Sequence, residues 1–373
     1  LPWRTALHGV ALGSDVYLFL AGMMLLAELA RSEGLFDWLA ARAAAGARGS
    51  ARRLFGLVYL VGILVTAFLS NDATAVVLTP AVAAAARAAQ VIEPLPFLLI
   101  CAFIANAASF VLPISNPANL VIYGRALPPL LEWLPRYALP SGASIIATYL
   151  ALRLTQRLAL TQPIATSVQL PALSGGGKIT ACGIAGMAIA LMLASAFGLA
   201  LGLPTFIAGL ATMAALWRAR RGVPWQMLRQ ISWSVLMLVA GLFVLVQALE
   251  TSGALQRLSS LLQDAARLTP AGAVWGSGIL LGIASNLVNN LPAGLIAGHA
   301  VAAAQLPPRM TSAVLLGVDI GPNLSVTGSL ATILWLTALR REGIEVTAWQ
   351  FLKLGFLIMP PALVLALLAL LAA

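Results

Sequence analysis

The sequence predicts an all-α integral membrane protein built as two inverted repeats, each with one re-entrant hairpin and one broken helix. Three observations predict it. The chain of 373 residues is 61% hydrophobic and only 9% charged, where a soluble domain carries about 25% charged residues. Several apolar runs approach or exceed the roughly 20 residues that cross a bilayer. Polar motifs interrupt those runs in the same order in each half.

The apolar runs fall at 14–30, 54–69, 73–90, 96–124, 137–158, 178–197, 204–217, 231–250, 271–287, 292–304, 310–338 and 349–372. All are expected to be helical, because backbone exposed to lipid must satisfy its own hydrogen bonds. Two amphipathic stretches, 34–47 and 254–266, are expected to lie along an interface. The longest polar connection, 159–177, contains Ser174 to Gly177 and reads as a linker between the halves. No separate soluble domain is expected. The chain begins at Leu1, so an N-terminal piece is expected to be missing.

The repeat is read from matched parts. GLFDWL (34–39) aligns with GALQRL (253–258), and SNDATAVVL (70–78) with NNLPAGLIA (289–297), both at an offset of 219, so that Asn71 meets Asn290. Pro117 and Asn119-Leu120 resemble Pro322 and Asn323-Leu324. The first repeat therefore spans 1–158, with its hairpin at 54–90 and broken helix at 96–124. After the 159–177 linker, the second spans 178–373, with its hairpin at 271–304 and broken helix at 310–338.

Charge sets the orientation. Arg48, Arg52, Arg53 and Arg87 bracket the first hairpin on both sides, so it opens to the cytoplasm. Counting crossings from there leaves Arg4, Arg125, Arg136, Arg257, Arg267 and Arg309 outside and the other sixteen of the 22 basic residues inside. That bias supports inverted repeats with eight full crossings and two hairpins of opposite direction. It also explains the net charge of +10 without nucleic acid. No nucleic-acid binding is expected. Trp3, Trp133, Trp225 and Trp349 read as interfacial belt residues.

Several chemistries are excluded. Cys101 and Cys182 have no CxxC partner, so neither a disulfide framework nor a zinc site is expected. His8 and His299 are isolated. No GxxxxGK[ST] loop occurs, so ATP is not hydrolysed on this chain. No nucleophile–base pair or metal-ligand cluster supports an enzyme, and no cofactor or metal is expected. Cys101 precedes Ser115 by about 14 residues, some 20 Å of helix, and reads as a packing residue.

Inverted repeats with broken helices point to a secondary transporter with its site at the midplane. A hairpin tip there leaves free N–H groups on one half-helix and free carbonyls on the other. Ser70, Asn71 and Thr74 at the first tip, and Asn289 and Asn290 at the second, supply donors and acceptors. In the broken helices VLPISNPANLVIYG (111–124) and GVDIGPNLSVTGSLATILW (317–335), prolines remove backbone donors. Ser115, Asn116, Asn119, Asn323, Ser325 and Thr327 stand at the gaps. These residues are the candidate substrate-binding set. Their blander role is to cap the breaks. Asp72 and Asp319 are the only acids in these signatures. A charged carboxylate at bilayer depth costs at least about 2.5–3.5 kcal/mol, so each is a candidate proton carrier, Asp72 first. Their alternative role is bonding to nearby backbone. Glu28 lies one turn from Arg31 and is expected to pair with it.

FLSNDATAVVLTP, SNLVNNLPAGLIAG and GVDIGPNLSVTGSLATILWL resemble the arsenite/antimonite efflux permeases, the ArsB family of the ion transporter superfamily, in matching order from about residue 14 onward. The resemblance implies an inverted-repeat ion transporter fold in the inner (plasma) membrane. It implies export of trivalent arsenic or antimony in exchange for protons, with or without a separate cytosolic arsenite-stimulated ATPase. Superfamily relatives are often homodimers. At Asn323 the chain departs from the many arsenite permeases that carry Lys there. Silicic-acid efflux carriers share the motifs, and a sodium-coupled or sodium/proton carrier of the same fold is the alternative. Arsenite at neutral pH is mainly neutral As(OH)3. The absence of Arg and Lys from all four signatures suits it better than a dicarboxylate.

Overall fold

The structure, a computed structural model, describes residues 2–220, 225–231 and 233–372. Among these the chain forms nineteen α-helices joined by short 3-10 or π turns, without a named strand. Helices α1 (Trp3–Leu12) and α2 (Ser14–Ser32) meet at a 52° bend. Gly13 sits in the bend, where a Cβ would collide with the rings of Tyr17 and Phe243. The sequence reading did not include α1.

The amphipathic stretch at 34–47 is α3 (Leu35–Ala47). The first hairpin follows as α4 (Ala51–Phe68), α5 (Asn71–Ala73), a π turn (Thr74–Leu78) and α6 (Thr79–Ala88). The first broken helix is α7 (Leu95–Ala107) and α8 (Pro117–Tyr123), separated by a bend and a 3-10 turn at Pro113–Ser115. Then come α9 (Leu130–Thr155), α10 (Gly175–Ala196), α11 (Gly202–Arg220), α12 (Trp225–Gln230), α13 (Ser234–Thr251) and amphipathic α14 (Ala254–Leu268). The second hairpin is α15 (Pro270–Val288) and α16 (Asn290–Ala303). The second broken helix is α17 (Pro308–Ile320), a 3-10 turn at Gly321–Leu324 and α18 (Leu330–Arg341). Helix α19 (Ala348–Ala372) ends the chain.

Among the described residues, five helices are long and apolar enough to cross a membrane, or six if the bent α1–α2 pair is one span. The sequence expects eight crossings. Length and composition single out a different set: α4 and α15, arms of the two hairpins, are among the five, while α9, α11 and the pieces of both broken helices are not.

Both hairpins return to the side they came from. Ser50, which caps α4, bridges to Pro163, and the carbonyl of Ala89, just after α6, accepts from Ala165 N–H at 2.8 Å. Entry and exit of the first hairpin thus meet on one short strap. Helix α3 packs against both of its arms. In the second hairpin, α14 packs against both arms, with Ser259 Oγ donating to the Ala300 carbonyl and Gln263 Nε2 to that of Ala304.

The two mouths lie at opposite ends of the molecule. The C-terminal end of α2 is on the first mouth's side, where Ser174 Oγ donates to the Glu33 carbonyl and Arg87 pairs with Glu342. The N-terminal end of α2 is on the other side, where Asp15 accepts from Gly202 N–H and α1 packs against α13 near Phe243 and Gln247. Helix α14 follows α13 at that end.

The 159–177 segment, which joins α9 to α10, is also tied to the first mouth: Gln162 Oε1 accepts from the N–H groups of Ile92 and Glu93. Two sequence expectations change. Helix α9 starts at Leu130, ahead of the expected 137, and runs through Pro135 and Pro140. Trp133 is not an interfacial belt residue. It is fully buried, donates to the Phe110 carbonyl and packs tilted against Tyr137 with ring centroids 4.3 Å apart. Trp3 and Trp349 are exposed as expected. The side chain of Trp225 lies outside the described residues.

Candidate functional site

The first tip is shaped by its own polar side chains. Ser70 Oγ accepts from Ala73 N–H, and Asn71 Oδ1 accepts from Asp72 N–H at 2.9 Å. The hydroxyls of Thr66 and Thr74 meet across the break at 2.8 Å. The π turn that follows widens the helix immediately after the tip, a placement common at functional sites.

The second tip turns on Asn289, whose φ of +74° lies in the left-handed region that asparagine tolerates better than most residues. Its Oδ1 accepts from Leu291 N–H. The N–H of Asn290 donates to the Gly328 carbonyl at 2.9 Å, which ties this tip to the gap in the second broken helix.

The gaps are held by side chains acting in place of lost backbone bonds. In the first, Ser115 Oγ accepts from Leu112 N–H and donates to the Ala67 carbonyl, joining the gap to the first hairpin. Asn119 Nδ2 donates to the Ser109 carbonyl at 2.8 Å. Asn116 faces two ways: its Oδ1 caps α8 at Ala118 N–H, and its Nδ2 donates to Asp319 Oδ1 at 2.8 Å. In the second gap, Asn323 exchanges bonds with α7, donating to the Phe103 carbonyl and accepting from Asn106 Nδ2.

Asn286 is the organising residue that sequence reasoning missed. Its Nδ2 donates to the Gly282 and Gly321 carbonyls, while its Oδ1 accepts from both the N–H and hydroxyl of Ser325. Thr327 Oγ1 donates to the Asn286 carbonyl. One signal was available: an amide at the end of an otherwise apolar run, three residues ahead of the tip.

The tips meet. Asn71, Asn116, Asn289 and Asn290 line one small cavity of about 40 Å³, with Ser329 and Asp72 on its wall. None of the described residues that line it is basic. Asp72 and Pro117 also line a vestibule of about 650 Å³, which runs past Ser70 to Glu28, Arg31, Arg341 and Glu342. Glu28 pairs with Arg31 there, as expected.

Of the other predicted site residues, Thr74, Ser115, Asn119, Asn323, Ser325, Thr327 and Asp319 line neither cavity and sit in the supporting network. Cys101 is buried in the core and Cys182 is exposed on α10. The arrangement offers amide, hydroxyl and carboxyl groups to a small solute. It is large enough for more than one water, which needs roughly 10–15 Å³ on the same measure.

Residues 2–327 match the citrate transporter family, CitMHS. The arsenical pump membrane protein of Escherichia coli is 28% identical over 367 residues, covering 93% of this chain and 84% of that protein. The putative arsenical pump membrane protein of Bacillus subtilis is 26% identical over 365 residues, covering 90% and 82%. Among solved structures, the Alcanivorax borkumensis YdaH transporter, described as having an unusual topology, superposes with a TM-score of 0.62 at 17% identity, over 99% of this chain and 87% of that one. That likeness concerns the fold alone.

Proposed function

The chain belongs to the citrate transporter (CitMHS) family, and within it we propose a multi-pass inner-membrane carrier that exports arsenite or antimonite as the neutral hydroxide in exchange for protons. One observation carries the reading: among apolar neighbours such as Leu20, Val239 and Leu330, the cavity between the hairpin tips presents asparagine amides, a serine and one carboxyl, and none of the described residues lining it is basic. A neutral trihydroxide can both donate to and accept from such groups. Citrate would bring several negative charges into the same space with no cationic partner, a costly burial. The relatives named as arsenical pumps favour the same substrate.

In this proposal residues 1–158 and 178–373 are inverted repeats about the meeting of the tips, and alternating access exposes the cavity to either side. Ser70, Asn71, Asn116, Asn289 and Asn290 touch the solute. Thr74, Ser115, Asn119, Asn323, Ser325 and Thr327 shape the gaps around it. Asp72, on the wall shared by cavity and vestibule, takes up the proton in competition with the solute. Exchange of a neutral solute for an entering proton is electrogenic, so the membrane potential contributes about 2.3 kcal/mol per 100 mV. The homodimer expected from the superfamily is compatible with this cycle, and a separate cytosolic ATPase is not required by it.

The test is flux into everted vesicles, with arsenite, antimonite, silicic acid and citrate compared side by side. Arsenite uptake should require a pH gradient or potential and no sodium, and citrate should not compete. Sodium dependence, or citrate uptake with its own cation, would establish the alternative carrier instead. Asp72→Asn should abolish proton-driven arsenite uptake. A variant that retains it removes Asp72 from the coupling step.

A further inference from the structure

Behind the tip cavity lies a second polar cluster. Asp319 on α17 is completely buried, and while its Oδ1 accepts from Asn116, its Oδ2 has no hydrogen-bond partner. Asn119 Oδ1 and Asn106 Oδ1, both on fully buried side chains, also lack partners. Ser109 binds the group together. Its carbonyl accepts from Asn119, its hydroxyl donates to the Asn106 carbonyl, and its side chain lies beside the Asp319 carboxyl.

All three orphaned atoms are acceptors. Buried polar atoms are rarely left unpaired, and three oxygens short of a donor call for something electropositive. Among the described residues, the elements packed against α17 supply no counter-charge. Of the elements packed against α17, helix α15 has no ionisable residue and the 3-10 turn at Gly321–Leu324 has none. Helix α7 offers only Cys101, and α8 only Tyr123, which is bonded to Tyr137. On α16, His299 is engaged with the Leu295 carbonyl, and on α19, Lys353 lies over the exposed Trp349 ring. Tyr137 reaches α17 at Ser312, and Arg309 is three turns from Asp319.

We propose that Asp319, Asn106 and Asn119 form a buried seat for one monovalent cation, either a proton carried on Asp319 or a sodium ion held by the three oxygens. Asn116 is the positioning residue that connects this seat to the solute. Among the described residues it alone both lines the tip cavity and bonds to Asp319. A solute that recruits the Asn116 amide releases Asp319 Oδ1, so occupancy of the cavity and of the seat are linked. Only this linkage rests on the transport reading above; the seat itself is tested without substrate.

The experiment is thermal unfolding of the purified protein in choline buffer free of arsenite. A cation that binds the folded state raises its melting temperature, here by about 2–4 °C. A response to added sodium identifies sodium; a response only to falling pH identifies the proton. If both respond, they must compete, so that the sodium shift shrinks as pH falls. Asp319→Asn, nearly equal in size, should abolish a sodium response, which Asp72→Asn should keep; a pH response, to which the proton site at Asp72 also contributes, should shrink in Asp319→Asn and be lost when both are replaced. No wild-type response to either cation, additive responses, or an undiminished response in Asp319→Asn would overturn the proposal. Loss of arsenite transport alone would leave these shifts unchanged.

Discussion

Asn290 and Asn286 stand four residues apart on the second hairpin, yet they have different work. Asn290 presents its side chain to the tip cavity, whereas Asn286 spends both ends of its amide on the neighbouring gap. Replacing each by alanine should separate the roles. Asn290→Ala removes a polar contact to the solute and should lower arsenite flux roughly tenfold or more, with little change in melting temperature. Asn286→Ala strands the Gly321 carbonyl and the Ser325 N–H, so it should destabilise the fold by about 1–3 kcal/mol. Vesicle flux and thermal melts on the same preparations read both effects. Normal flux in Asn290→Ala would remove that side chain from the site. The same contrast explains why only part of the site was legible. Asn71, Asn289 and Asn290 stood out because polar residues at a shared offset mark both tips. Asn286 has no counterpart at that offset. Asn323 and Asn290 look alike in a sequence, because an amide that repairs a backbone gap and one that lines the tip cavity are the same residue type.

At the scale of elements, the breaks were readable because proline and glycine act locally, while the neighbours of each helix were not. Pro113, Pro117 and Pro322 stand with polar residues and glycine, and the gaps fall beside them, whereas Pro135, Pro140, Pro360 and Pro361 stay inside α9 and α19. Trp133 near a helix start reads alike whether its ring meets lipid or Tyr137, since one-dimensional pattern gives a face and not its partner. Close approach is hidden for the same reason. A Cβ on Gly321 would land on the backbone of Gly282, so the second broken helix rests directly on the first arm of the second hairpin. Backbone cannot swing aside as a flexible side chain can. Gly321→Ala should therefore push α15 and α17 apart and cost about 1–3 kcal/mol. The measurement is the melting temperature, with flux falling in parallel because the Asn286 contacts to this gap are pulled out of register. An unshifted melting temperature would show that the interface yields freely.

At the scale of the whole molecule, the vestibule shows which face the solute can enter from. It runs from Asp72 at the tip cavity to a rim carrying Arg31, Arg341 and Glu342, with Glu342 paired to Arg87. These arginines belong to the sixteen basic residues that the charge bias places inside, and on that proposed orientation the open face is the cytoplasmic one. Thr337 lines this vestibule and is exposed, which makes it a probe of the open state. In a Cys182→Ser background, Thr337→Cys should react with a membrane-impermeant maleimide far faster in everted vesicles than in right-side-out ones. Imposing a proton gradient with arsenite present should slow that reaction, because a cycling carrier spends part of its time with the vestibule closed. Ligand can shift such an equilibrium only through differential affinity for the two states, so arsenite that changes labelling must bind one state better. Labelling confined to right-side-out vesicles would reverse the orientation assigned to the hairpins, and with it the direction of transport.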